Sequence, residues 1–215
     1  MASRGARLRA LAAVPLLALL AACGGQSSAG TAELTAVSLD PPFEMSSTPL
    51  VTTDGSSFSL TDDTDKDLTL VFFGYTHCPD ICGQVMATLA GTLSRLDDAQ
   101  KERLDVVFVT TDPTRDDGDV VADYVDAYDP SIIGLTGDLA DITTVASSVK
   151  VAIGYFDAEG TEIPADELGD RPTYDVEHGT QVFGLDADDD VTEFWRADVS
   201  QAQLAHDVTA LLDQG

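Results

Sequence analysis

Downstream of residue 48 the chain alternates between unbroken apolar runs and apolar residues spaced by three or four. Leu68–Phe73 reads LTLVFF between Lys66-Asp67 and Gly74, the pattern of a strand covered on both faces. Ile81, Val85, Leu89, Leu93 and Leu96 follow at steps of four, four, four and three, which predicts one buried helix face. Asp105–Thr110 (DVVFVT) repeats the buried-strand pattern, and an acidic turn leads to a helix carrying Val120, Val121, Tyr124 and Val125. Ser131–Leu135 predicts a short third strand. Leu139, Ile142, Val145 and Val149 predict another helix, and Val151–Phe156 a return to strand. Between Asp157 and Tyr174 the pattern lapses into a segment rich in Gly, Pro and acids. Thr180–Leu185 and Val191–Trp195 predict a hairpin around Asp186–Asp190. A terminal helix starts at Ser200, where Gln203 completes a capping box, and buries Leu204, Val208, Leu211 and Leu212. Upstream, Leu50–Leu60 holds Thr53-Asp54-Gly55-Ser56 between β-prone stretches and predicts a hairpin whose turn needs positive φ.

Strands alternating with helices, then an antiparallel hairpin and a last helix, predict an α/β domain. Its expected form is a sandwich of thioredoxin type: a central mixed sheet, flanking helices and an added N-terminal hairpin. The 215 residues, 44% of them hydrophobic, supply one core and argue against disorder. Only 11 basic residues stand against 38 acidic ones, a net charge of −27, which excludes ordinary nucleic-acid binding. Three cysteines exclude a multi-disulfide framework.

The amino terminus reads as an address. Arg4, Arg7 and Arg9 precede an apolar run from Leu11 to Ala22 that is too short to span a bilayer comfortably. Leu20-Ala21-Ala22-Cys23-Gly24 resembles a bacterial lipobox, with Cys23 the lipidated first residue of the mature chain. A plain secretory signal or an uncleaved anchor, with Cys23 incidental, is the other reading. The lipobox reading divides the chain into a signal peptide (residues 1–22), a small polar tether (residues 23–37) and a domain (residues 38–215). It places that domain, lipid-anchored, at the extracytoplasmic face of the cell membrane, where thiols tend to oxidise.

The chemistry concentrates in Gly74-Tyr75-Thr76-His77-Cys78-Pro79-Asp80-Ile81-Cys82. A buried strand delivers Cys78, Pro79 suits a first helical turn, and Cys78 and Cys82, four apart, share a face if both are helical. A helix amino terminus favours thiolate over thiol. Two such sulfurs are either a redox dithiol or part of a soft-metal site; a structural disulfide across so small a loop adds little stability. Of the three histidines, His206 falls off its helix's apolar stripe and His77 precedes the helix, aimed away from the thiols. His178, in Asp175-Val176-Glu177-His178-Gly179, enters the strand that a thioredoxin-type sandwich sets beside the cysteines; taken alone it also suits a turn histidine bonded to a carbonyl. Two thiolates and one imidazole are too few for structural zinc and suit copper, with thiolate favouring Cu(I) and imidazole admitting Cu(II). A second patch, Thr110-Thr111-Asp112-Pro113-Thr114-Arg115-Asp116, lies at the same sheet edge. In it Asp112-Pro113 makes a turn and Asp116 opens the next helix, or Asp112 and Arg115 shape a rim that a partner touches.

FFGYTHCPDIC, VTTDPTRDD and the distal YDVEHG together resemble the Sco/SenC family from about Ser38 onward. The resemblance implies a membrane-tethered, thioredoxin-like domain that binds copper through Cys78, Cys82 and His178. It implies a role in assembling the copper centre of cytochrome c oxidase subunit II, or in serving another extracytoplasmic copper protein. Gly179, where the family often has a hydroxyl residue, and Asp117-Gly118, where it has Thr-Pro, depart from the pattern. Three functions follow as expectations: a metallochaperone, which is not an enzyme; a thiol–disulfide oxidoreductase using Cys78 and Cys82 as its catalytic dithiol; and a peroxidase-like relative. The last wants an Arg near the reactive Cys, and the CPDIC segment has none.

Overall fold

The structure, a computed structural model, describes residues 33–171 and 173–214. The signal peptide, Cys23 and most of the tether expected from the sequence lie outside the described residues. In chain order the strands and helices are β1 (Val37–Glu44), β2 (Leu50–Thr52), β3 (Ser57–Phe58), β4 (Leu68–Gly74), α1 (Ile81–Leu93), α2 (Asp98–Lys101) and β5 (Leu104–Thr110). They continue with α3 (Gly118–Asp126), β6 (Ile133–Thr136), α4 (Leu139–Ser148), β7 (Gly154–Phe156), β8 (Asp175–Glu177), β9 (Val182–Asp186), β10 (Asp190–Trp195) and α5 (Gln201–Leu212).

All seven residues of β4 are buried because both faces of the strand are covered. Leu68, Leu70 and Phe72 enter one core with Val106 and Phe108 of β5 and the inner faces of α1, α3 and α5. Val71 and Phe73 enter the other with Val107, Val109 and the Ile142, Val145 and Ala146 face of α4. β4 and β5 pair in parallel from Leu68↔Leu104 to Gly74↔Thr110, and β6 continues the parallel set. β9 pairs antiparallel with the other edge of β4, and the mixed sheet runs β1-β10-β9-β4-β5-β6-β2-β3. This is the expected α/β sandwich, with flanking helices and the hairpin β2–β3 added beside β6. Gly55 supplies the hairpin turn with φ of +86°.

Four expectations change in detail. The edge strand β1 was not anticipated, since Pro41 and Pro42 break a strand signal; at an edge they are tolerated, and the register slips between Ser38 and Phe43. The α1 stripe outlasts the helix: after Leu93 the chain tightens, with Leu96 N–H donating to Leu93 O, and Leu96 still reaches the core. The strand expected over Val151–Phe156 is extended only from Gly154 and belongs to a separate two-stranded sheet with β8. Asp116 does not open α3; Asp117 is its cap, accepting from the Val120 N–H, and Asp116 is buried elsewhere.

The start of the described domain is tied to its last helix. Asp207, fully buried on α5, accepts from the Thr35 N–H and hydroxyl, from the Ala36 N–H and from the Trp195 indole. Burial opposes its ionisation, but these donors outweigh it and hold the carboxyl below the usual range.

Candidate metal centre

β4 ends at Gly74, and the turn Tyr75–Asp80 carries the chain into α1. The closeness of the two cysteines therefore has a different cause from shared helical position. Cys78 and Pro79 precede the helix, with the Cys78 N–H donating to Tyr75 O, and Cys82 lies in the first turn of α1. Asp80, the N-cap residue, makes no side-chain capping bond, which leaves the first N–H groups of α1 without a carboxylate partner. The Cys78 sulfur takes that role. Burial works to raise its pKa, but the N–H groups of Asp80, Cys82 and Ile81 and the Cys82 thiol turn the balance, so the thiol ionises more easily than usual. Cys82 is the opposite case: its residue is 0% exposed, and burial holds it as a thiol. Both are free.

His178 follows β8 and returns to the cysteines across the fold. Its Nδ1 lies 3.0 Å from Phe73 O and 2.7 Å from Gly179 O. Carbonyls only accept, so Nδ1 carries the proton, and Nε2 presents its lone pair to Cys82 Sγ at 3.4 Å. Burial holds the ring's pKa below 6.5, against the pull of the two carbonyls, so the imidazole is neutral. The edges of Tyr75 and Phe72 close on its ring, with centroids 5.5 and 6.3 Å away. Gly74 is a steric requirement: a Cβ there would stand 2.9 Å from Phe72 and 3.1 Å from Cys82 Sγ. At Gly179 an added Cβ would meet the Val151 side chain at 2.8 Å and Gln181 Oε1 at 3.0 Å.

The ligand atoms of Cys78, Cys82 and His178 all lie within 4.8 Å of one another, the one such group among the described residues. Donors bonded to an ion at about 2.0 to 2.3 Å stand at most about 4.6 Å apart, so little movement lets the three share one. Two soft sulfurs and a neutral imidazole with its lone pair already turned inward suit copper. The two remaining histidines are placed as the sequence suggests. His77, 55% exposed, turns to Thr76 and Asp116, and His206, 58% exposed, faces Asp207. Sequence reasoning missed Phe73 O, Gly74, Tyr75, Thr76, Asp116 and Tyr174. Only Gly74 carried a usable signal, a glycine ending a run of large apolar residues.

The SCO1/SenC family model matches residues 35–213. Among curated proteins the chain is similar to the human "Protein SCO2 homolog, mitochondrial", at 32% identity over 140 residues covering 65% of this chain and 49% of that protein. It is also similar to the Saccharomyces cerevisiae "Protein SCO2, mitochondrial", at 36% over 106 residues covering 45% of this chain and 35% of the relative. The chain thus spans about half or less of the length of these relatives. Among solved structures, Arabidopsis thaliana ScoI with copper bound superposes with a TM-score of 0.66 at 27% identity, covering 80% of this chain and 99% of that one. With two cysteines, a distant histidine and a family match running from before the first described strand to just past the last helix, the chain belongs to the SCO1/SenC family.

Proposed function

We propose that this domain is a copper metallochaperone with Cys78, Cys82 and His178 as its ligands. Held at the extracytoplasmic face of the cell membrane by a lipid on Cys23, it serves assembly of the copper centre of cytochrome c oxidase subunit II or of another extracytoplasmic copper protein. The observation that carries the reading is the convergence of an imidazole 96 residues downstream on the sulfur of Cys82, its Nε2 lone pair turned toward that sulfur. Support also comes from a relative described with copper bound and from the description of the Sco family as cytochrome c oxidase assembly proteins.

Three protein donors leave room for a further ligand, which is what a carrier needs. Cys78 is half-buried and favours thiolate, whereas Cys82 has no exposed surface, so exchange starts at Cys78. An incoming acceptor thiolate bonds the copper as the Cys78–copper bond breaks, and Cys82 and His178 hold the ion meanwhile.

The test is metal analysis with absorption spectroscopy on the reduced, copper-loaded mature protein. About one copper per domain is expected, with a thiolate-to-Cu(II) charge-transfer band that is lost in His178→Ala. A wild-type protein that retains no copper through gel filtration overturns the reading.

The unequal cysteines favour a second reading, reduction of the acceptor's disulfide by the Cys78–Cys82 dithiol: a half-buried attacking thiolate beside a fully buried resolving thiol. Undiminished turnover of a partner disulfide by His178→Ala selects it over copper delivery.

A further inference from the structure

The loop between β5 and α3, Thr111–Asp117, makes no hydrogen bond to either sulfur or to the His178 ring, yet it grips both chain segments that carry them. On the cysteine side, Asp116 is fully buried and accepts from the Thr76 N–H at 2.9 Å and the Thr76 hydroxyl at 2.6 Å, two residues before Cys78. The Thr111 N–H donates to Gly74 O at 2.7 Å, fixing the residue whose Cα lies against Cys82. On the histidine side, Asp112, also fully buried, accepts the Tyr174 hydroxyl at 2.6 Å, four residues before His178. Arg115 is ion-paired to Asp112, lays its guanidinium 3.7 Å over the Tyr174 ring and donates from Nη1 to Tyr174 O at 3.3 Å. Thr111 O accepts the Tyr155 hydroxyl at 2.7 Å, which holds β7, the only pairing partner of β8.

We infer that Asp112, Arg115 and Tyr174 form a positioning latch. Together with Asp116 on Thr76, the latch sets the distance between His178 and the cysteine pair. The inference rests on the reading of Cys78, Cys82 and His178 as one copper site. Its physical ground is the contrast in what else holds His178. β8 has three residues and, among the described residues, one neighbouring strand, so the strand itself does little to fix the ring, which otherwise relies on its Nδ1 bonds to Phe73 O and Gly179 O and on the Tyr75 and Phe72 edges. Two buried carboxylates in one loop cost desolvation, and Arg115 Nη2 is buried without a partner. A loop optimised for stability alone would avoid both. Groups that orient a metal ligand from outside the coordination sphere change affinity by about 10- to 100-fold.

Tyr174→Phe removes one hydroxyl and keeps the ring under Arg115; Arg115→Lys keeps the charge and removes the planar fork. Each variant and the wild type are titrated with Cu(I) against a chromophoric chelator. The metal-free forms are examined by nitrogen-15 NMR of the His178 ring, with Tm as a stability control. The expected result is an affinity about 10-fold weaker in either variant, a shifted Cu(II) charge-transfer band, and loss of the single Nδ1–H tautomer of the metal-free ring. Wild-type affinity, band and ring signals in both variants, whatever happens to Tm, overturn the latch. A wild-type protein without copper affinity sinks the chaperone reading instead, and the ring signals of the metal-free proteins then decide the latch alone.

Discussion

Cys82 stands on the inner face of a thirteen-residue helix that shares a core with β4, β5 and α5. His178 stands just past a three-residue strand whose one partner strand is equally short. Cys82 is thus placed by apolar packing, in which each contact supports many others. The histidine side is placed by a few directional bonds: two carbonyls on Nδ1, and the Asp112–Arg115–Tyr174 set further back. Packing tolerates the loss of one polar group and punishes added volume. A hydrogen-bonded placement does the reverse.

The largest effect expected from this contrast is on metal retention. Cys78→Ser or Cys82→Ser abolishes stoichiometric copper binding by metal analysis after gel filtration, since a hydroxyl is a poor ligand for Cu(I). His178→Ala leaves both sulfurs in their packed positions and weakens Cu(I) binding by about 100-fold, read by chelator competition. Gly74→Ala tests the packed side by volume: its Cβ falls against Phe72 and Cys82 Sγ, and urea unfolding reports a loss of about 1–3 kcal/mol. An unchanged midpoint there would show that the cysteine side is looser than its burial implies.

The smallest effect is on the pH dependence of the metal-free protein. In the folded chain the His178 ring releases its proton below the ordinary value of 6.5, so between the two values the unfolded chain binds more protons. Stability therefore rises with pH across that window and is lost as pH falls below about 6.5. His178→Asn flattens this slope in urea midpoints measured from pH 5 to 7.

The same contrast decides what the sequence disclosed. Apolar periodicity marked β4, β5, α1 and α5 because burial selects the residues that form them, and the cysteines were legible as neighbours of that pattern. His178 was placed only by assuming the fold and counting where its strand returns. β1 was hidden because Pro41 and Pro42 are acceptable at a sheet edge, which leaves no signal of pairing. Val151 reads as strand because it is buried, yet its N–H is bonded to Ala146 O behind a left-handed Lys150 with φ of 65°. Asp112 and Asp116 were visible only as a turn and a helix start, or for Asp112 as part of a rim, and their burial against the site's two segments was not. Among 38 acidic residues, spacing does not tell the two buried beside the site from those facing water.

The buried carboxylate of Asp207 joins the two ends of the described domain. It moors Thr35 and Ala36 to α5 and to the indole of Trp195, ahead of the first strand. The first residues of the described domain are thereby fixed at its closing helix. The sulfur-bearing turn is fastened separately, by Asp116 on Thr76, so the two moorings share no hydrogen bond.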